Sequence, residues 1–392
     1  MATKQAKIHF LATRGALPVK STDGKPKSPG SNAIIIQDYD ETKDKYVYAM
    51  IDVGYWRTTT GFTAQEKEQI LYDKTLITKY LKRHKITELE FVLITHYHVD
   101  HFRGLKYLLT PETNDPKVNI KKLILPMNAD RIEAIKNKIT DDEYNDCVKA
   151  HNAIIKWFNT YKETHPQSQV LYFGDISATA MGNKCNMGMG KFTFYNTNPL
   201  TDKYAVRPDE ITNTYNWSVD KFSIVTKYEV DGKRILLPSD IYALSEKVML
   251  ARDIGDCDVV QMSHHGSVNG NSTEFLDFVL GNNSKSCSAI QLRSGGKSTK
   301  TTLKRYRNLN GSGKPLVRIY GVWQSFKNIW RDSDSVTPEN IAGIVLEIRD
   351  GAIRYCTRRF TDTAYDQRTI PEDIAYNITD EEVEKSYPND TK

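Results

Sequence analysis

Leu89-Glu90-Phe91-Val92-Leu93-Ile94-Thr95-His96-Tyr97-His98-Val99-Asp100-His101 decides the reading of this chain. Leu89 to Thr95 is a short apolar run with polar flanks, the pattern of a strand buried on both faces. Three histidines and an aspartate follow within six residues. They leave the strand end and enter a loop, where side chains converge. His96 and His98, two apart, can point the same way as one ligand pair, and Asp100 and His101 can face a second ion. Imidazoles with a carboxylate suit zinc, manganese or iron. A solvent-facing histidine cluster without a role is the alternative, and four ligand-capable residues directly behind a buried strand weigh against it.

Outward from that motif, strands dominate both ends of the chain and helices its middle. Lys7 to Leu11, Ser31 to Gln37 and Tyr46 to Val53 read as strands, the last closing in Ile51-Asp52-Val53-Gly54. Gln65 to Lys82 has helical spacing, and Ala129 to Lys162 predicts one or two helices. Further strands are expected at Val170 to Phe173, Lys191 to Tyr195, Phe222 to Val230, Arg234 to Pro238, Val259 to Met262, Ala289 to Arg293, Val317 to Tyr320 and Ile341 to Arg349. Met181 to Gly190 reads as a flexible loop, His9 and His84 as structural or exposed, and Trp157 and Phe158 as a helix core face. Strands with helices interspersed place the chain in the α/β class of layered sheets.

The H-x-H-x-D-H pattern resembles the signature of the metallo-β-lactamase superfamily, hydrolases built as an αββα sandwich. Other landmarks follow in order. Asp52 resembles the early Asp that supports the site from behind the ligands. Ile235-Leu236-Leu237-Pro238-Ser239-Asp240 resembles the strand ending in the metal-bridging Asp. Met262-Ser263-His264-His265-Gly266-Ser267 resembles the strand end carrying the last His ligand, and either His264 or His265 can fill that role. The His-His-Gly-Ser form, 24 residues beyond Asp240, is similar to the hydrolase domain of ComEC-type competence proteins. The resemblance implies two divalent metals, zinc first and manganese second, held by His96, His98, Asp100, His101, Asp240, His264 and His265. It implies a hydrolase domain over residues 1–360, a mainly helical insertion at about 110–223, and a polar, acidic tail at 361–392. One departure stands out. Most two-metal relatives supply a further His before the bridging Asp, whereas the candidates here, His151 and His165, lie in a probable helix and beside Pro166. The place some twenty residues before Asp240 holds Asn213, Asn216 and Ser218.

Such a centre lowers the pKa of bound water to roughly 7, giving hydroxide at neutral pH. Asp100 is the candidate catalytic group that holds or accepts the nucleophile's proton. Between Asp277 and Asp332 there is no acidic residue but eleven Lys and Arg, with Tyr306, Tyr320 and Trp323 interleaved. Lys297, Lys300 and Arg305 are therefore candidate substrate contacts for phosphates. A solvated basic surface around core aromatics explains the stretch equally well. Gly295-Gly296-Lys297-Ser298 lacks the earlier Gly of a P-loop, Gln291 standing there, and an ATPase is excluded. The expected activity is a phosphodiesterase or nuclease acting on nucleic acid or nucleotides. The alternatives are a lactone, thioester or β-lactam hydrolase, and a nucleic-acid-binding module with weakened catalysis.

Composition bounds the rest. The 392 residues carry 54 Lys and Arg against 49 Asp and Glu, a net charge of +5 too mild to identify a partner by itself. Collagen-like and wholly disordered classes are excluded. Five scattered cysteines form no C-x-x-C pair, which argues against a disulfide framework or zinc finger. No apolar run of roughly 18 residues exists, so no membrane partner is expected and the protein reads as cytoplasmic. A homo-oligomer remains compatible with all of this.

Overall fold

The computed structural model describes residues 4–11, 19–20, 26–27, 32–54, 76–111, 117–173, 183–195, 219–281, 287–291, 301–302, 304–306, 309, 317–321 and 341–359. Its main strands run in chain order β1 (Ala6–Leu11), β2 (Ala33–Asp40), β3 (Lys45–Val53), β4 (Phe91–Leu93), β5 (Lys122–Leu125) and β6 (Gln169–Tyr172). Then come β7 (Asn183–Met187), β8 (Gly190–Tyr195), β9 (Val225–Val230), β10 (Lys233–Leu237), β11 (Val259–Gln261), β12 (Cys287–Gln291) and β13 (Val317–Gly321). Last are β14 (Ile341–Arg349) and β15 (Ala352–Arg359). They assemble into two sheets, ordered β6-β5-β4-β3-β2-β1-β14-β15 and β7-β8-β9-β10-β11-β12-β13. In each sheet the site end is built from parallel neighbours, β3 beside β4 and β10 beside β11.

Side-chain alternation explains why the sheets face each other. Along β2, Ile34 and Ile36 enter the core between the sheets while Ile35 enters the core behind the first sheet. Phe91 and Leu93 of β4 likewise turn inward and Val92 outward; Ile235 and Leu237 of β10 turn inward and Leu236 outward. A strand covered on both faces needs apolar residues at every position, which is why these segments read as unbroken apolar runs. Each such side chain contributes about 1.5–3 kcal/mol when fully buried. Between the sheets Phe91 meets Phe192 edge-on at 5.2 Å, and Phe192 stacks on Tyr228 at 4.6 Å.

Helices cover both outer faces. Behind the first sheet lie α1 (Leu76–Arg83), α2 (Val99–Phe102), α3 (Leu105–Leu109), α4 (Ala129–Ala134) and α5 (Asp141–Thr164). Behind the second lie α6 (Ala243–Leu250) and α7 (Thr273–Leu280). The layers are helix, sheet, sheet, helix. α5 seats Cys147, Ala150, Ile154, Phe158 and Tyr161 on the first sheet, and Thr140 caps its start by accepting from the Glu143 amide.

Three strands were not expected, the first being β5, which lies parallel to both β4 and β6. Residues 183–187 pair antiparallel with β8 where a flexible loop was read, because Gly188 at φ +62° closes a tight turn and Met187 plugs the core between the sheets. β15 pairs with β14 across Asp350 and Gly351, both with positive φ. The segment 110–223 holds α4 and α5, and it also gives β5 and β6 to the first sheet and β7 and β8 to the second. Residues 65–75 of the expected first helix, Lys297, Lys300, Trp323 and the tail lie outside the described residues. Among the described residues, no helix is long and apolar enough to cross a membrane.

Candidate metal centre

Four strand ends meet at one edge of the sandwich: β3 at Asp52, β4 at Thr95 to His96, β10 at Ser239 to Asp240, and β11 at Ser263 to His265. Asp52 (φ 55°), Ser239 (φ 56°), His264 (φ 46°) and His265 (φ 53°) all have left-handed backbone. Asp tolerates it; two successive histidines do not do so readily, and such strain costs on the order of 1–3 kcal/mol per residue. It is over-determined by its surroundings. The His264 amide donates to the Ser239 carbonyl at 2.9 Å, and Asn271 binds both the amide and the carbonyl of Ser263. Buried Glu246 accepts from the Asn271 and Ser272 amides. Tyr306 donates to Asn271, and Arg305 donates to the carbonyls of Val268, Gly270 and Asn271. Arg305, expected to meet substrate, spends these donors on the loop that follows His265.

Three overlapping ligand groups result: His96, His98 and Asp220; His96, His101 and Asp240; Asp100, His101 and His265. His98 Nδ1 lies 2.7 Å and His96 Nε2 3.1 Å from Asp220 Oδ1. Asp240 Oδ2 lies 3.3 Å from His101 Nε2 and 3.1 Å from His265 Nε2, and Asp100 Oδ2 lies 3.3 Å from His265 Nε2. Between the two candidates, buried His265 joins the carboxylates. His264 is partly exposed, stacks on Tyr242 with ring centres 5.0 Å apart, and reaches Asp240 only at 3.9 Å. His151, on α5, contacts Tyr172 of β6, and His165 stacks on Tyr161, so neither enters the centre.

Asp220 is a candidate ligand that the sequence reading missed. It sits in the short turn Val219–Phe222 just before β9, twenty residues before Asp240. Asn213, Asn216 and Ser218, weighed for that place, lie outside the described residues. The signal is present in the sequence, because a carboxylate twenty residues before Asp240 can take the place of a histidine as ligand.

Behind the ligands, Asp52 accepts from the Thr95 amide at 2.8 Å, the Thr95 hydroxyl at 2.9 Å and His101 Nδ1 at 2.6 Å. Its carboxylate fixes a proton on Nδ1, so that Nε2, which faces the centre, is the nitrogen that would ligate an ion.

The donor atoms fit divalent cations. Asp240 Oδ1 is buried with no hydrogen-bond partner among the described residues, and buried His96 Nε2 and His101 Nε2 face carboxylate oxygens at 3.1 and 3.3 Å without the geometry of a regular hydrogen bond. The electrostatics agree. Burial pushes the Asp220, Asp240 and Asp100 carboxyls up, yet the neighbouring imidazoles outweigh it and hold all three below the usual range. Burial pushes His265 down, but Asp240 and Asp100 raise it to about 8. His98 and His101 are raised well above the ordinary value by their carboxylates despite burial, while burial lowers His96. Protons on imidazoles thus balance charge that cations would otherwise balance.

Residues 29–178 match the family model of the Metallo-beta-lactamase superfamily. The chain has the metallo-β-lactamase fold. Its matches among solved structures include YhfI from Bacillus subtilis, a metallo-β-lactamase fold protein, at 13% identity and TM-score 0.39, over 88% of this chain and 99% of that one. Unliganded yeast PDE1 matches at 13% and 0.39, over 81% and 98%. Human tRNase Z, short form, matches at 14% and 0.29, over 65% and 77%. Scores this low carry no weight for substrate. No curated protein matches the sequence.

Proposed function

We propose that this protein is a metal-dependent hydrolase of phosphodiesters, in nucleic acid or nucleotides, with two divalent ions of which zinc is preferred. The observation that carries the reading is the buried edge where four imidazoles (His96, His98, His101, His265) and three carboxylates (Asp100, Asp220, Asp240) converge. His96, His98 and Asp220 would hold one ion, Asp100, His101 and His265 the other, with Asp240 between them. Bound there, the ions would supply Lewis acidity toward a phosphoryl oxygen and make water acidic enough to ionise near neutral pH.

The chain's own groups do the rest. Asp100 places a carboxylate beside His265 and can accept the proton of the attacking water. Asp52 keeps His101 in one tautomer. His264, partly exposed beside the ligands and braced on Tyr242, can donate to a substrate oxygen. The phosphodiester choice is supported by the basic run after Asp277, whose residues Arg305 and Tyr306 are tied to the loop behind His265. The His-His-Gly-Ser form supports kinship with the ComEC-type branch. The missing histidine had favoured a module with weakened catalysis; with Asp220 in that place, a complete donor set favours turnover. An ester, lactone or thioester hydrolase is the second reading, favoured by a centre whose Lewis acidity serves any acyl group.

The test is hydrolysis of a chromogenic phosphodiester by protein reconstituted with zinc or manganese, beside H98A. Turnover that disappears in H98A is expected. Folded, metal-loaded protein that cleaves a chromogenic ester and no phosphodiester would overturn the substrate class.

A further inference from the structure

α5 lies behind the first sheet and belongs by chain order to the segment between the first motif and the bridging Asp. Its third residue nevertheless reaches the centre. Glu143 Oε2 accepts from His98 Nε2 at 3.3 Å and from the Val219 amide at 3.1 Å. The first partner is a ligand candidate and the second is the residue before Asp220. One carboxylate therefore grips both halves of a ligand pair whose members come from different sheets.

The arrangement at His98 repeats the one at His101. Each imidazole turns one nitrogen to the centre and gives the other to a carboxylate outside it: Asp52 for His101, Glu143 for His98. Such a carboxylate sets the tautomer and ring orientation and makes the ligating nitrogen more basic. The local sequence supplies Glu143 cheaply. Thr140-Asp141-Asp142-Glu143 is a helix start in which Thr140 caps the Glu143 amide, and Asp141 and Asp142 already serve the positive end of the helix.

We propose that Glu143 is a positioning residue for the ion site of His96, His98 and Asp220, so that loading of that site depends on α5 being docked, while the site of Asp100, His101 and His265 does not. This rests on the two-ion reading above. It gives the helical segment a role in the chemistry beyond covering a sheet.

The experiment compares wild type, E143A and E143Q, stripped of metal and titrated with zinc against a chromogenic chelator, with metal content counted after dialysis. Wild type is expected to bind two ions. E143A should lose about 10–100-fold in affinity for one ion and keep the other. E143Q, whose amide oxygen can still accept from His98 and Val219, should recover part of that loss. Metal-free E143A should melt within a few degrees of metal-free wild type. Two ions bound by E143A at wild-type affinity would overturn the proposal. So would equal weakening of both ions together with a large drop in the metal-free melting temperature, since that marks a general structural role. Wild type that binds no ion would instead overturn the two-ion reading itself.

Discussion

Asp52→Asn is the cleanest perturbation of the centre, because asparagine also tolerates the left-handed backbone that Asp52 adopts at φ 55°. The backbone is kept and only the side-chain chemistry changes. Asp52 Oδ1 receives the Thr95 amide, and Oδ2 receives His101 Nδ1. If the Asn carbonyl stays with Thr95, its NH2 faces His101 and forces the proton onto Nε2, the nitrogen needed by the ion. If the amide turns over, two donors meet at the buried Thr95 amide. Either outcome forfeits a hydrogen bond to a charged acceptor, about 1.5–3 kcal/mol, which is roughly a 10–150-fold loss of affinity. The loss should fall on the ion of Asp100, His101 and His265. Competition with a chromogenic chelator resolves the two affinities, and circular dichroism checks that the variant is folded. Folded D52N that binds both ions as wild type does would refute the argument that Asp52 sets the His101 tautomer.

Three further outcomes follow from the same geometry. D220A should lose affinity for the ion shared with His96 and His98, whereas D220H, which restores an uncharged donor, should retain binding and shift preference from manganese toward zinc; unchanged affinity of D220A for both zinc and manganese would remove Asp220 from the ligand set. His265 has its pKa raised to about 8, so in metal-free protein its stabilising contribution is full below about 6.5 and is lost as pH rises through 8. Zinc competes with that proton, so zinc stabilisation should grow over the same window, and thermal melts with and without chelator between pH 6 and 9 should diverge as pH rises; parallel curves would contradict it. Gly104→Ala would set a Cβ 2.2 Å from the Val53 carbonyl oxygen, where backbone cannot easily yield; it should cost on the order of 1–3 kcal/mol, and an unchanged denaturation midpoint would show that the loop after the motif adapts.

Much of this was legible in sequence where information is local. β4 and the stretches Ala33 to Ile36 of β2 and Ile235 to Leu237 of β10 announce themselves because they are buried and every position is apolar. His96 to His101 announce themselves because four ligand-capable residues share one strand end. What escaped depends on partners distant in the chain. Asn183 to Met187 has little strand propensity of its own and is held by pairing with β8. β15 carries three arginines in eight residues, though the preceding Asp350-Gly351 was a readable hairpin signal. Asp220 and Glu143 are ordinary acids in polar surroundings, and only the convergence of two sheets and a helix makes them part of one centre.

The order of strands in the first sheet also bears on how the chain is made. β1 sits between β2 and β14, pairing with β14 from Ala6 opposite Ile348 to Leu11 opposite Gly343. A ribosome must add about 330 residues after β1 before that neighbour exists, roughly 15–70 s at common elongation rates. Until then one edge of β1 lacks its pairing strand. The nascent protein therefore carries an open, apolar sheet edge for most of its synthesis, and folding chaperones that shield such edges are the helpers it should need most.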